Sequence, residues 1–313
     1  MTAYIIRRLF ATIPVMVVVA LFVFLLLHLT PGDPAAIIAG DDATPTEIEG
    51  VRRRLGLDLP IWEQFVIYAW NLLRGDLGTS IFSNLPVTTL VAQRLEPTVV
   101  LALSTLLVAV VCAIPLGVLA AWKARTFVDR IVMGFSVLGF AVPVFLVGYI
   151  LIYFFSIELR WLPVQGYRPL AQGIDQTFRS VVLPAVALGT TYMALIARIT
   201  RASMLEVLSE DYIRTAHAKG VTTKSVLLRH ALKNAAVPIV TVIGLGMAAL
   251  ISGVVITETV FNIPGLGRLT VDAILKRDYP IIQGLIIIFA GTKVLINLMI
   301  DISYTFFDPR IRY

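Results

Sequence analysis

The chain is poor in sulfur, in charge and in the motifs that enzymes use. Its single cysteine, Cys112, lies inside an apolar run, so the sequence predicts neither a disulfide nor a thiolate metal site. Charged residues make up only 15% of its 313 positions, against roughly 25% in soluble domains. The phosphate-binding loop, the His-Glu-x-x-His zinc motif and the Gly-x-Ser-x-Gly nucleophile motif are all missing from the sequence. We therefore expect no catalytic residue, no bound cofactor and no metal site on this chain.

The sequence is instead rich in long apolar segments. Hydrophobic residues make up 58% of the chain, and the mean hydropathy is +0.87. A helix needs about 20 apolar residues to cross the hydrocarbon core of a membrane. Six segments are long enough, namely 9–29, 97–122, 131–157, 181–197, 235–257 and 280–306. The predicted fold class is an all-α membrane protein with six transmembrane helices.

The distribution of Lys and Arg predicts the orientation of these helices. With the N-terminus inside, the inner segments carry fourteen basic residues, whereas the short outer loops at 158–180 and 258–279 carry three each. Both termini are therefore predicted to be cytoplasmic, and the net charge of +6 needs no nucleic-acid partner. The predicted parts are a first helix within residues 1–29, an extracytoplasmic loop at 30–96, a five-helix core at 97–306 and a cytoplasmic tail at 307–313.

The extracytoplasmic loop contains helical periodicity between residues 46 and 76. Phe65, Tyr68 and Leu72, for example, recur at the spacing of one helix face. Such helices could form a cap packed over their own bundle, or a docking surface for a protein outside the cell. The two interpretations are compatible, and the sequence leaves both open.

The polar, basic stretch at 206–238 stands between two apolar spans. Its first half, from Glu206 to Ala218, has the residues of a single helix, and Gly220 is suited to the residue that ends it. Thr222 or Thr223 can begin a second helix. The pattern predicts a helix–Gly–helix element on the inner membrane surface. It could be two basic amphipathic helices lying on anionic lipid, or a lever that transmits motion from a cytosolic partner to the spans.

A few polar groups fall within or next to the predicted spans. Lys293, Asn297 and Asp301 share one face of the sixth span, since they lie four residues apart. They could line a pathway or a proton relay, or they could lock helices together within the bundle or against a partner chain. Glu258, at an outer end, could be an interfacial or partner-bonded carboxylate, or a gate.

Two inner motifs resemble the cytoplasmic coupling loop of ABC-importer permeases. They are Asp211-Tyr-Ile-Arg-Thr-Ala-His-Ala-Lys-Gly220 and Leu228-Arg-His-Ala-Leu-Lys-Asn-Ala-Ala-Val-Pro238. More narrowly, the chain is similar to the first permease of the dipeptide/oligopeptide/nickel branch. Further motifs of that branch lie at 28–34, 54–60, 75–78, 258–267, 277–280 and 308–312. Arg214-Thr215-Ala216 stands where importers in general have Glu-Ala-Ala, a departure that narrows the subfamily.

This resemblance implies a type I importer permease in the bacterial cytoplasmic membrane. The implied partners are a second homologous permease that completes a heterodimeric pore, two cytosolic ATPases that hold ATP and magnesium, and an extracytoplasmic substrate-binding protein. Tyr212 and Ile213 would be apolar anchors in an ATPase groove, with Arg214 and Lys219 as charge partners. The full set of implied coupling residues is Asp211, Tyr212, Ile213, Arg214, Thr215, Ala216, Ala218, Lys219 and Gly220.

The cargo implied by the resemblance is peptide, either di- and oligopeptides or glutathione. Nickel, opine or sugar cargo on the same architecture is the nearest alternative. A proton-coupled secondary transporter would need an intramembrane acid and base network, for which Lys293 and Asp301 are the only candidates. A membrane sensor or scaffold would read the outside through residues 30–96 and would need an output domain.

Overall fold

The computed structural model describes residues 2–29, 33–40, 43–54 and 56–307. These residues are mainly helical, and within them the only β pairing is an isolated bridge between Thr79 and Pro86. The chain divides into two compact units, and each is described by itself. The first contains residues 1–95 and 269–294, and the second contains residues 96–268 and 295–313. The predicted motif at 308–312 lies outside the described residues.

The first unit begins with α1 (Thr2–Leu29), followed by α2 (Pro34–Ala39), α3 (Pro45–Arg54) and α4 (Ile61–Leu73). Asp33 caps α2 by accepting a hydrogen bond from the backbone N–H of Ala35 at 3.1 Å. Glu47 in the first turn of α3 accepts one from the N–H of Thr44 at 2.7 Å. That bond lowers the pKa of the exposed Glu47 carboxyl. The predicted helical periodicity at 46–76 therefore corresponds to two helices, α3 and α4.

Three longer helices follow, the first of which begins in the first unit and continues into the second. They are α5 (Val87–Trp122), α6 (Phe127–Ala141) and α7 (Val144–Leu151), the last extended by a π-helical turn at Ile152–Glu158. A short 3-10 turn at Leu170–Gln172 precedes α8 (Ile174–Leu208). The inner element contains α9 (Asp211–Ala218), α10 (Thr223–Ser225), a π-helical turn at Val226–Ala231 and α11 (Leu232–Asn234). The chain continues with α12 (Ala236–Val260), α13 (Leu266–Lys276) and α14 (Tyr279–Phe307).

Helix α8 is the centre of the second unit, where α6, α7 and α12 all pack against it. Of its most apolar 18-residue stretch, 67% is buried, compared with 22% for α5. The predicted fourth span at 181–197 is the middle of this helix. Polar residues at both ends of α8, such as Asp175 and Arg201, lower the local hydropathy without interrupting the helix.

The predicted third span at 131–157 is not one straight helix. Its two parts, Phe127–Ala141 and Val144–Glu158, are bent by 105°. The bend follows from Pro143, because proline disfavours helical dihedrals in the residue before it, and Val142 is extended with φ −87° and ψ 124°. Pro115 and Pro184, by contrast, lie inside continuous helices. Membrane helices tolerate such prolines where neighbouring groups satisfy the backbone.

Among the described residues, three helices are long and apolar enough to cross a membrane by themselves, namely α5, α8 and most of α14. The number rises to five if each bent helix pair counts as one span, the second pair being Thr223–Asn234 with Ala236–Leu250 at 63°. Helix α1 contributes a shorter apolar segment, Phe10–Leu26. The chain is thus helical with several potential spans, and the six-span topology stays a prediction.

Helices α5 and α8 approach each other closely because a glycine lies between them. A Cβ atom at Gly117 would stand 2.6 Å from the Cβ of Thr200 and 2.7 Å from the carbonyl oxygen of Ala197. Small residues of this kind let membrane helices come into backbone contact, where packing rather than the hydrophobic effect holds them. Any larger side chain at position 117 would push the two helices apart.

Candidate functional site

The inner element folds as two helical segments joined at a glycine, in the order that the sequence predicted. Gly220 has φ +78°, the left-handed conformation that glycine adopts without strain. The N–H of Val221 donates to the carbonyl of Ala216 at 3.1 Å and closes the end of α9. Thr222 is the extended residue from which the second segment starts. The helix–Gly–helix prediction is confirmed.

The start of this element differs from the prediction of one helix from Glu206 to Ala218. Helix α8 ends at Leu208, and α9 begins again at Asp211 after the extended Glu210. The hydroxyl of Ser209 donates to the carbonyl of Glu206 at 2.6 Å, a local bond that competes with continued helix. The second segment contains the π-helical turn at Val226–Ala231, which no sequence pattern indicated.

Helix α9 is attached to the rest of its own chain through Ile213. That side chain is only 3% exposed and belongs to an apolar cluster with buried residues of α5, α8, α12 and the π-helical turn, including Met204, Val226 and Ile239. Burying an isoleucine side chain contributes about 1.5–3 kcal/mol. The Arg214–Asp211 pair at 3.2 Å is largely exposed, and such pairs contribute only about 0.2–1 kcal/mol. Packing of Ile213 therefore outweighs the surface ion pair in holding α9.

The predicted coupling residues fall into two groups according to their exposure. Ile213 is buried and Ala216 is half-buried, so the expectation that Ile213 anchors a partner is not supported. The exposed residues are Asp211, Tyr212, Arg214, Thr215, Ala218, Lys219 and Gly220. We call these seven residues the α9 surface. Partial burial raises the pKa of the Tyr212 hydroxyl above its ordinary value.

Asp129 and Arg201 form an ion pair near the same end of the second unit. Arg201 Nε lies 2.5 Å from Asp129 Oδ1, and Arg201 Nη2 lies 2.7 Å from Asp129 Oδ2. Asp129 Oδ2 also accepts a hydrogen bond from the backbone N–H of Arg125 at 2.9 Å. One carboxylate thus joins α6, α8 and the loop between α5 and α6. In the sequence, Arg201 is one of the inner basic residues that predict the topology, and Asp129 is the single acidic residue in the basic segment 123–130.

Glu258 is fully buried near the end of α12, and its carboxylate is bound within its own chain. Oε1 accepts a hydrogen bond from the hydroxyl of Thr98 at 2.6 Å, and Oε2 accepts one from the backbone N–H of Arg268 at 2.9 Å. The Thr98 hydroxyl in turn accepts from the N–H of Leu266 at 2.8 Å. A Cβ atom at Gly265 would stand 2.0 Å from Oε1, so only glycine fits over this carboxylate. We call Glu258, Thr98 and Gly265 the Glu258 latch.

A further carboxylate, that of Glu96 in α5, binds the loop before α8. Glu96 Oε1 accepts hydrogen bonds from the hydroxyl of Tyr167 at 2.9 Å and from the backbone N–H of Leu170 at 2.8 Å. Partial burial, together with the bond to Glu96, raises the pKa of Tyr167. The N–H of Gly166 also donates to the carbonyl of Phe261 at 2.9 Å, so this loop is linked to the segment beside the Glu258 latch.

The polar stripe on α14 lies largely on the surface of this chain. Lys293 and Asn297 are exposed, and Asp301 is half-buried. Their spacing on one helix is as predicted. Within the part of the chain that the structure describes, no group of three or more His, Cys, Asp or Glu residues could hold a metal ion.

Comparisons with known proteins identify the family of the chain. Residues 113–313 match the family described as the binding-protein-dependent transport system inner membrane component, and residues 1–102 match its N-terminal counterpart. A probable peptide ABC transporter permease protein, y4tP of Sinorhizobium fredii, is 56% identical over the full length of both chains. The glutathione transport system permease protein GsiC of Escherichia coli K12 is 44% identical, again over the full length of both.

A solved structure extends the comparison to the fold. A chain of the MetNI methionine ABC transporter, in an inward-facing conformation, superposes with a TM-score of 0.57 at 16% sequence identity. The match covers 70% of the present chain and 96% of the MetNI chain. At this identity the match reports the fold alone. With its family matches and its full-length relatives, the chain belongs to the binding-protein-dependent transport system inner membrane components and is an integral membrane permease of an ABC transporter.

Proposed function

We propose that this permease imports peptides, with di- and oligopeptides and glutathione as the cargo class. The full-length relatives support this cargo class, since one is described as a peptide permease and another as a glutathione permease. The chain itself supplies no catalytic residue in this proposal. ATP and magnesium are bound by separate cytosolic ATPase subunits, and substrate arrives on an extracytoplasmic binding protein.

The proposed topology has six spans in the bacterial inner membrane with both termini in the cytoplasm. The spans are α1, α5, the bent pair α6 and α7, α8, α12 and α14. The excess of Lys and Arg in the inner segments supports this orientation. The exposed apolar residues of α6 and α7, such as Phe135, Phe140 and Tyr149, are available for lipid or for the second permease of a heterodimeric pore.

The observation that carries the coupling proposal is the division of α9 into a buried and an exposed side. Ile213 fixes the helix to its own chain, so a partner that moved the α9 surface would also move the helices that surround Ile213. Tyr212 is the large apolar group left exposed there, at 42%, with Arg214 and Lys219 beside it. An aromatic and an arginine are the residue types enriched at the energetic centres of interfaces. We assign the ATPase contact to this surface.

The test is co-purification of the complete transporter through an affinity tag on this chain. Arg214→Glu reverses a charge on the α9 surface and should remove the ATPases while the second permease is retained. Arg130→Glu is the matched control, because Arg130 is also an exposed inner arginine but lies outside that surface. Equal recovery of ATPases with both variants would overturn the assignment.

A second variant changes the backbone conformation at Gly220 and leaves the charge of the α9 surface unchanged. Gly220→Pro cannot adopt the positive φ of Gly220, since proline fixes φ near −65°. We expect it to abolish uptake of a labelled dipeptide by cells while the chain still inserts into the membrane. Normal uptake by this variant would contradict the role of α9 as a lever. Uptake of labelled glutathione, measured in parallel with the wild type, distinguishes the two cargoes.

A further inference from the structure

Most of the surface of helix α4 is apolar, although the helix belongs to a loop that was predicted to lie in water. Ten of its thirteen residues are apolar, and none of its side chains is buried. Trp62, Val66, Trp70 and Leu73 form one outward stripe, and each is more than half exposed. Something other than the described part of the first unit must cover this stripe.

The opposite side of α4 packs along α1 in an antiparallel register. His28 Nε2 lies 3.0 Å from Gln64 Oε1, and the rings of Phe24 and Phe65 are 5.4 Å apart. Further along, Tyr68 and Leu72 pack on the cluster that contains Ala20 and Val23. Helix α4 therefore follows α1 from its C-terminal end back toward its middle.

This register places α4 beside the apolar segment of α1. That segment runs from Phe10 to Leu26, and Ala20 lies six residues, or about 9 Å, inside its end. The outward side of α1 is also apolar and exposed there, as at Val18 and Phe22. Exposed apolar side chains are thus present on both of these helices, which pack side by side.

The polar groups in the first turn of α4 agree with a start at the lipid–water boundary. Glu63 and Gln64 lie there, near His28 and the C-terminal end of α1. At the other end of the helix, the guanidinium of Arg74 lies 4.8 Å from the ring centroid of Trp70. The attraction between a cation and an aromatic ring is stronger where water is excluded.

We propose that α4 is embedded in the outer leaflet of the membrane and that its Trp62–Val66–Trp70–Leu73 stripe contacts lipid acyl chains. The proposal rests on the proposed topology, in which α1 crosses the bilayer. The extracytoplasmic loop then separates into a water-exposed part, which contains α3, and a membrane-embedded part. Helix α3 supplies the internal contrast, because five of its ten residues are charged.

Cysteine labelling in right-side-out membrane vesicles tests this position in the complete transporter. The background is Cys112→Ser, and the variants are Val66→Cys on the stripe, Thr46→Cys on α3 and Phe22→Cys on α1. A membrane-impermeant maleimide should react with Thr46→Cys and at least about tenfold more slowly with the other two, since a thiol in apolar surroundings is seldom ionised. Denaturation in detergent should make all three react equally.

The three positions distinguish failure of the inference from failure of the topology. If Val66→Cys reacts as fast as Thr46→Cys while Phe22→Cys stays protected, the stripe is in water and the inference is wrong. If Phe22→Cys reacts as well, or if Thr46→Cys does not, the proposed topology itself is wrong.

Tryptophan fluorescence distinguishes lipid from protein as the group that covers the α4 stripe. The full-length chain keeps Trp70 as its sole tryptophan, with Trp62, Trp122 and Trp161 changed to Phe, and is reconstituted in nanodiscs of brominated phosphatidylcholine. Trp70 should be quenched relative to ordinary phosphatidylcholine, whereas a sole tryptophan placed by Thr46→Trp should not. Protection of Val66→Cys without quenching of Trp70 would mean that a protein covers α4, which overturns the proposal.

Discussion

The two ends of the second unit hold a carboxylate in different ways. Glu258 is fully enclosed, bound by a hydroxyl and a backbone N–H, and covered by a glycine that leaves no space. Asp129 is bound by an arginine that keeps a quarter of its side chain exposed, and it connects three segments rather than filling one cavity. The first arrangement, the Glu258 latch, is enclosed. The second, the Asp129–Arg201 pair, is partly exposed and lies near the same end of the second unit as the α9 surface, where a partner is proposed to bind.

The largest effect should come from opening the Glu258 latch. Glu258→Ala leaves the Thr98 hydroxyl and the Arg268 N–H without their acceptor, and each unsatisfied buried group costs about 1–3 kcal/mol. We expect the free energy of unfolding to fall by roughly 2–6 kcal/mol. Thermal unfolding of the purified chain in detergent measures this change. Thr259→Ala, one residue further on and exposed, is the control and should change little.

An intermediate effect is expected at the Asp129–Arg201 pair. Asp129→Asn removes the charge that pairs with Arg201, and breaking fully buried ion pairs costs about 3–5 kcal/mol. Because Arg201 is 25% exposed and can be hydrated, we expect a smaller loss of about 2–3 kcal/mol. A thermodynamic cycle with Arg201→Gln isolates the pair. A loss at Asp129 that was above about 3 kcal/mol and also exceeded the loss at Glu258 would contradict the contrast between the Glu258 latch and this ion pair.

The smallest effect is expected at Tyr167, in the loop before α8. Tyr167→Phe removes one hydrogen bond to Glu96, for a loss of about 1 kcal/mol near neutral pH. Since the pKa of Tyr167 is raised above its usual 10, its contribution is fully present below pH 10 and is lost as the pH rises above that value. The stabilities of wild type and variant should therefore converge in alkaline buffer. A gap that persisted or widened with rising pH would contradict the hydrogen bond.

The sequence predicted the parts of the molecule that depend on local chemistry. Gly220 in the left-handed region, Thr222 at the start of a helix and the helical character of 46–76 all follow from residue preferences over a few positions. The Glu258 latch could not be derived in this way, because Thr98 and Glu258 are 160 residues apart in the chain. Glu258 was selected as a polar residue next to a span, but its enclosure by Gly265 depends on tertiary packing.

The differences between prediction and structure have equally physical causes. Hydropathy marked only the middle of α8, because charged residues near the ends of a helix lower the local hydropathy. The third span was predicted as one segment at 131–157, whereas Pro143 separates two helices bent by 105°. The resemblance implied that Ile213 anchors in an ATPase groove beside Tyr212, whereas Ile213 is buried within its own chain. Consecutive helix positions point about 100° apart, so neighbours need not share a surface.

The contact at Gly117 gives this bundle a mechanical property. Because a glycine at this position lets Thr200 and Ala197 of α8 lie directly against the α5 backbone, a shift of one helix is transferred to the other with little slack. Gly117 and Thr98 belong to the same helix and are 19 residues, or about 28 Å, apart along it. A displacement of α8 at its inner end would thus be carried along α5 toward the Thr98 hydroxyl.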